Sequence, residues 1–124
     1  MKWILIFVIA ALVAGLVWMK MTGHISAKEA QGCLGRGALV IDVRSPEEFS
    51  SGHLTTAINI PLDELGATLP RQVKDKRRVL LLHCQSGMRS GIAVKKLQGM
   101  GYTQVFNLGS LARAKEIVGT RDGE

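Results

Sequence analysis

Residues 79–90 read Val79-Leu80-Leu81-Leu82-His83-Cys84-Gln85-Ser86-Gly87-Met88-Arg89-Ser90, and this stretch decides the fold. Its aliphatic first part predicts a short buried strand. From Ser90 onward, apolar residues recur at spacings of three and four, which predicts a helix that closes at Gly99 and Gly101. A tight loop between a strand and a helix points successive backbone N–H groups into one small volume, at the positive end of the helix dipole. The sequence therefore predicts an anion-binding loop with Cys84 at its edge.

Cys84 is the candidate nucleophile. Only a thiolate is a good sulfur nucleophile, and a free cysteine with a pKa of about 8.5 is mostly protonated at neutral pH. A helix N-terminus contributes up to about 2 kcal/mol in favourable geometry, which is roughly one and a half pKa units. Arg89 adds to this effect if it points inward. We therefore expect a reactive thiolate, and the alternative is a buried cysteine that only fills space at a strand end.

The loop at 83–90 is one of several motifs along the chain. Residues 39–49 and 52–61 precede it, and residues 101–110 follow it. In this order they resemble the signature motifs of the rhodanese (sulfurtransferase) family over roughly residues 25–118, and in particular its small single-domain bacterial members. The resemblance implies a thiosulfate or persulfide sulfurtransferase that works through a persulfide on Cys84.

The expected reaction has two steps. The Cys84 thiolate takes a sulfur atom from an anionic donor such as thiosulfate, and the persulfide then passes it to cyanide, a small thiol or a protein cysteine. No organic cofactor is expected, and the scattered histidines and cysteines do not form a metal site. The residues expected to bind the donor are those of the loop: Gln85, Ser86, Gly87, Met88 and Arg89.

Two other functions remain open. Protein-tyrosine phosphatases use a similar loop with five residues between cysteine and arginine, whereas four residues lie between Cys84 and Arg89 here. This shorter loop leaves less room for a phosphate group, so a phosphatase or arsenate reductase is the less favoured enzyme. The other alternative is a membrane-tethered binding or sulfur-relay module that serves a protein partner instead of free thiosulfate.

The N-terminal segment is an apolar run over residues 3–19, between Lys2 and Lys20. As a helix it would be about 26 Å long, at the short end of what spans a bilayer. Trp3 and Trp18 near its ends favour an uncleaved, single-pass anchor in a bacterial inner membrane. A cleaved signal peptide and a buried core helix are the alternatives. The short N-terminal tail favours an extracytoplasmic domain, although the flanking lysines give no firm orientation.

The rest of the chain alternates short strands with helices, which predicts an α/β domain with a small, mostly parallel sheet flanked by helices. We expect residues 1–24 to be the transmembrane anchor and joint, and residues 25–124 to be one rhodanese-like domain. Pro70 is expected to break a helix that begins at Asp63. The strands are expected at 38–43, 57–60, 79–83 and 104–108, and the remaining helices at 26–34, from 46, from 90 and at 111–118.

Several other residues invite interpretation. Asp42 and Arg44 are expected to form an ion pair that fixes a loop, and His53 to brace a loop by a hydrogen bond. His83 should project away from Cys84, because consecutive strand residues face opposite ways. Cys33 is expected to be structural, with a resolving disulfide to Cys84 as the alternative. The net charge of +6 includes a basic cluster at residues 71–78, but no recognition helix supports nucleic-acid binding.

Overall fold

The computed structural model describes the backbone of residues 1–122 and the side chains of residues 1–16 and 23–119. Its first helix, α1 (Lys2–Thr22), exposes all of its described side chains. Among the described residues, no helix is both long and apolar enough to cross a membrane.

The membrane anchor predicted for residues 3–19 is therefore not supported. Trp18 and Met19, which belong to the predicted anchor, lie outside the described side chains. The division into residues 1–24 and 25–124 and the extracytoplasmic location stay predictions.

The centre of the domain is a four-stranded sheet in which every paired strand is parallel. Its strands are β1 (Leu39–Asp42), β2 (Ile58–Asn59), β3 (Leu80–His83) and β4 (Val105–Gly109), in the order β2-β1-β3-β4. β3 lies between β1 and β4, and all its residues are buried. A parallel sheet is normally covered on both faces, which explains the uninterrupted run of leucines. The predicted α/β fold is confirmed.

Helices cover both faces of this sheet. Two begin at serine caps: Ser26 accepts from the backbone N–H of Glu29, and Ser45 forms a capping box with Glu48. The predicted break at Pro70 is not seen, because Pro70 lies inside a helix that continues to Gln72. A proline this close to the C-terminus of the helix removes only one hydrogen bond from the final turn. The helices are α2 (Ala27–Gly35), α3 (Pro46–Ser51), α4 (Leu65–Gln72), α5 (Met88–Gly99) and α6 (Leu111–Asp122), with a 3₁₀ turn at Leu62–Glu64.

The core forms two apolar layers, one on each face of the sheet. Alternate residues of β3 separate them, because side chains along a strand point to opposite faces. Leu80 and Leu82 pack with α4 and α5, and this layer includes Cys84. Leu81 packs with α2 and α6, and this layer includes Cys33.

A bulge in β4 shapes the sheet edge that matters for function. Leu82 pairs with Asn107, but His83 pairs with Gly109, so Leu108 is the extra residue on its strand. Bulges re-aim side chains where a strand ends. Here the bulge occurs where β3 ends, directly before Cys84, and Gly109 accepts a hydrogen bond from the Cys84 N–H at 3.2 Å.

Candidate active site

Cys84 is the first residue after β3, at the carboxyl end of a central strand. Open α/β sheets bind ligands at this edge. Its side chain is fully buried and packs in the layer formed by α4 and α5. Both Cys84 and Cys33 are free thiols, so the alternative of a disulfide between them is not observed.

Gly87 turns the chain from the loop into α5. It adopts a left-handed conformation, with φ of 97°, and lies at the N-cap of the helix. Its N–H donates to the Cys84 sulfur at 2.9 Å. A Cβ at this position would lie 3.0 Å from His24 Nε2 and 3.3 Å from Gly109 Cα, so both the conformation and the space require glycine. Because Gly87 is the cap, α5 begins at Met88, two residues before the predicted start.

Ser90 and Asn107 form a buried polar network beneath the loop. The Ser90 hydroxyl lies 3.5 Å from the Cys84 sulfur, 3.1 Å from the Gly87 carbonyl oxygen and 2.7 Å from Asn107 Oδ1. The Asn107 amide donates to the Gly87 carbonyl at 3.2 Å and accepts from the Gly109 N–H at 2.8 Å. The end of β4 thus holds the first turn of α5 in place.

The electrostatics of the sulfur follow from these contacts. Burial opposes ionisation, and by itself it would raise the pKa of the Cys84 thiol. Hydrogen bonds from the Ser90 side chain and from the backbone amides of Ser90, Gly87 and Ser86 outweigh burial, so the net effect lowers the pKa of Cys84. The loop amides therefore stabilise a thiolate, in the way that backbone N–H groups at a helix N-terminus stabilise a bound anion.

Arg89 makes a contact that the sequence did not predict. Its two terminal nitrogens donate to the two carboxylate oxygens of Glu48, at 2.6 and 2.9 Å. These hydrogen bonds lower the pKa of Glu48 to about 2 and raise the pKa of Arg89. The Arg89 side chain is 37% exposed, and its guanidinium is held by the half-exposed Glu48 carboxylate. The negative charge of Cys84 contributes further to the raised pKa of Arg89.

Three of the four other loop residues that were expected to bind the donor lie at the surface. Gln85, Ser86 and Met88 are exposed, whereas Gly87 is buried. Gln85 accepts a hydrogen bond from Arg44 through Oε1 at 3.3 Å. The loop therefore offers its backbone amides inward, and its side chains face outward.

A buried ion pair supports the loop from the side of β1. Arg44 donates to Asp42 Oδ2 at 2.7 Å and to the carbonyl oxygen of Gly52 at 2.7 Å. The expected pairing of Asp42 with Arg44 is confirmed.

His83 lies next to this pair, with Nε2 3.7 Å from Asp42 Oδ2, and burial lowers its pKa. His53 also braces a loop as expected, because its Nδ1 lies 2.8 Å from the Phe49 carbonyl oxygen.

Three residues around the loop were not identified as site residues from the sequence. Glu48 was recognised only as a helix cap, and the carboxylate serves both the cap and Arg89. Asn107 lies in β4 opposite Leu82, on the face that α5 covers, and nothing in the strand pattern links it to Ser90. His24 was assigned to the joint after α1, yet its ring lies against Gly87 and Gly109. Contacts between residues this far apart in the chain cannot be derived from spacing.

The sequence of this chain is similar to those of known thiosulfate sulfurtransferases. The chain is 44% identical over 71 residues to the thiosulfate sulfurtransferase PspE of Escherichia coli, covering 57% of this chain and 68% of that protein. It is 30% identical over 85 residues to the thiosulfate sulfurtransferase GlpE of Ectopseudomonas mendocina, covering 68% of this chain and 76% of that protein.

Solved structures show the same fold. A rhodanese with anions from E. coli has a TM-score of 0.60 and 40% identity, covering 62% of this chain and 91% of that one. The human single-domain sulfurtransferase TSTD1 has a TM-score of 0.63 and 29% identity, covering 75% of this chain and 95% of that one. The rhodanese-like domain family matches residues 26–113. Because that match takes in the whole sheet and the loop after β3, the chain belongs to the rhodanese-like domain family.

Proposed function

We propose that this protein is a sulfurtransferase that carries sulfur on Cys84, from an anionic donor such as thiosulfate to a nucleophilic acceptor. Its sulfurtransferase relatives support sulfur transfer as the general activity. The observation that carries the more specific proposal is the 2.9 Å hydrogen bond from the Gly87 N–H to the Cys84 sulfur, together with the lowered pKa of that thiol.

In the first step the Cys84 thiolate attacks the outer sulfur of thiosulfate. A new S–S bond forms at Cys84, the S–S bond of thiosulfate breaks, and its electron pair leaves with sulfite. The amides of Ser86, Gly87 and Ser90 stabilise negative charge on the sulfur that reacts.

In the second step a nucleophile attacks the outer sulfur of the persulfide. The S–S bond of the persulfide breaks, and the outer sulfur passes to the nucleophile. Cyanide is thereby converted to thiocyanate, and a thiol is converted to a persulfide. Either product returns Cys84 to the thiolate form, so ping-pong kinetics follow.

Mass spectrometry of the full chain tests the proposal. After incubation with thiosulfate, we expect the peptide that contains Cys84 to gain one sulfur atom, and cyanide to remove it. Cys84→Ser should abolish both the gain and the turnover of thiosulfate. Cys33→Ser is the matched control and should retain both, because Cys33 lies in the other core layer. A sulfur gain on Cys33 alone would exclude the proposed nucleophile.

A protein cysteine is a second acceptor that the surface favours. Outside α1, the large hydrophobic side chains that are exposed among the described residues are Met88, at 75%, and Ile92, at 56%. They lie one turn apart on α5, beside the loop, and exposed apolar groups of this kind occur at protein-binding surfaces. Purified full chain that turns over thiosulfate and cyanide unaided would favour the small-molecule enzyme over a relay module.

A phosphatase is less well supported. Only four residues separate Cys84 from Arg89, and the guanidinium that would bind phosphate is engaged with Glu48. Turnover of a phosphate ester faster than transfer from thiosulfate to cyanide would reverse this order.

A further inference from the structure

The Ser90 hydroxyl faces more acceptors than it has protons. It is fully buried, and its oxygen lies 2.7 Å from Asn107 Oδ1, 3.1 Å from the Gly87 carbonyl oxygen and 3.5 Å from the Cys84 sulfur. A hydroxyl donates a single proton. The shortest of these distances assigns that proton to Asn107, and the Gly87 carbonyl and the sulfur are the competing acceptors.

The orientation of the Asn107 amide is fixed by two backbone partners. The Gly109 N–H can only donate, and it lies 2.8 Å from Oδ1. The Gly87 carbonyl can only accept, and it lies 3.2 Å from Nδ2. A reversed amide would set donor against donor and acceptor against acceptor. Since the atom that faces Ser90 is therefore an acceptor, Ser90 must be the donor in their hydrogen bond.

We propose that Asn107 is a positioning residue that decides whether the Ser90 hydroxyl proton points at its own amide oxygen or at the Cys84 sulfur. While the sulfur is a thiol, its S–H donates to the Ser90 oxygen, and Ser90 donates onward to Asn107. When the thiol gives its proton to water, the hydroxyl turns to the thiolate. Asn107 Oδ1 keeps the Gly109 N–H, so no buried acceptor is left empty. The inference rests on the proposed function, because it takes Cys84 as the reacting group.

The substitution Asn107→Ala tests the proposal through the direction in which the ionisation of Cys84 shifts. It removes the nearer of the two oxygen acceptors that compete with the sulfur. The Gly87 carbonyl remains, but it already accepts from the Gly91 N–H at 3.1 Å, so the hydroxyl turns to the charged sulfur and the thiolate becomes more stable. We expect the midpoint of the pH-dependent alkylation of Cys84 by iodoacetamide to move to lower pH by about one unit, a tenfold change in ionisation typical of a hydrogen bond to a charged group. A purely structural role predicts the opposite shift, because a loosened loop withdraws the Gly87 N–H from the sulfur. A midpoint that rises overturns the proposal.

Asn107→Asp is the second variant and keeps the shape of the side chain. Its carboxylate holds the Ser90 proton more strongly and adds negative charge near the sulfur. The midpoint of alkylation should therefore move to higher pH by at least about one unit, a tenfold change in the ionisation of Cys84. Opposite shifts in the two variants are the expected signature. In a Ser90→Ala background the alanine shift should vanish and the aspartate shift should shrink. Shifts of undiminished size in that background overturn the proposal, and the aspartate arm decides if Asn107→Ala does not fold.

The readout separates this inference from the proposed function. Alkylation is followed on the peptide that contains Cys84, apart from Cys33, and thiolate absorbance in a Cys33→Ser background gives a second measure. Neither needs sulfur transfer, so failure to form a persulfide would overturn the function and leave these shifts to be measured. The charged and titratable groups of the neighbouring elements stay unchanged in every variant: His24, Asp42, Arg44, Glu48, His83 and Arg89.

Discussion

At the scale of single residues, the pairing of Arg89 with Glu48 changes what the guanidinium offers an incoming anion. The pair is bidentate, and its side chains are 37% and 34% exposed. Exposed pairs of this kind are worth up to about 1 kcal/mol, because water screens them. Arg89 is therefore a positioned cation whose charge is partly neutralised, and uncharged donors, the Ser90 hydroxyl first and then the loop amides, lower the pKa of Cys84.

Glu48→Gln should remove an acid-dependent part of the stability. Glu48 ionises with a pKa of about 2 in the folded chain, against an ordinary value of 4.5. A carboxyl whose pKa is lower in the folded state stabilises the fold at any pH above its unfolded-state pKa. This contribution is lost as the pH falls from about 4.5 towards 2. The difference in unfolding free energy between the natural chain and Glu48→Gln should shrink over that window. At pH 7 we expect this difference to be below about 1 kcal/mol.

Glu47→Gln is the matched control for this experiment. Glu47 lies in the same first turn of α3 and is exposed. Its removal should leave the shape of the pH dependence unchanged. Equal effects of the two substitutions would show that the helix end, and not Arg89, sets the acid dependence of Glu48.

At the scale of elements, the junction of β3 with α5 depends on one glycine. Gly87 combines a φ of 97° with an N–H aimed at the sulfur. The cap has no side chain to offer, and the backbone amides of Ser86, Gly87 and Ser90 at this helix end donate to the Cys84 sulfur. The same conformation that ends the loop thus supplies the donor.

Gly87→Ala should cost about 1–3 kcal/mol of stability, because alanine in the left-handed region is strained and its Cβ meets His24 and Gly109. We also expect the pKa of Cys84 to rise as the loop shifts away from the sulfur, and turnover of thiosulfate to fall. Denaturant unfolding and the pH dependence of alkylation measure the two effects. Gly99→Ala, at the other end of the same helix with open space around it, should be neutral or slightly stabilising.

The order of elements could be predicted from the sequence, because hydrophobic periodicity and caps act locally. The buried run of β3 and the serine caps at Ser26 and Ser45 are examples. The loop with Cys84 was found for the same reason, since strand, glycine and helix follow one another in the chain. The contacts of Arg89 with Glu48 and of Ser90 with Asn107 could not be predicted, because they depend on how α3 and β4 pack against α5.

At the scale of the whole molecule, Arg44 links three segments of the chain by hydrogen bonds. Its guanidinium binds Asp42 at the end of β1, the carbonyl of Gly52 after α3, and Gln85 in the loop. Both charges of the ion pair are buried. Breaking a buried pair on one side leaves an uncompensated charge, which costs more than the pair contributes.

Arg44→Met should therefore destabilise the protein by about 3–5 kcal/mol, and Asp42→Asn in the same chain should recover most of that loss. Denaturant unfolding of the single and double variants gives both values. Arg71→Met serves as the control, because Arg71 is exposed and its change should stay within about 0.5 kcal/mol. A double variant no more stable than Arg44→Met would mean that the lost contacts to Gly52 and Gln85, and not the unpaired charge, cause the damage.

The placement of the two thiols on opposite faces of the sheet has a consequence for oxidative damage. Cys33 and Cys84 are the two cysteines of the sequence, and the sheet separates their core layers. A disulfide requires Cα atoms within about 7 Å and side chains that point towards each other. A sulfenic acid formed at Cys84 thus has no thiol of its own chain to condense with, and its repair depends on a thiol supplied from outside the chain.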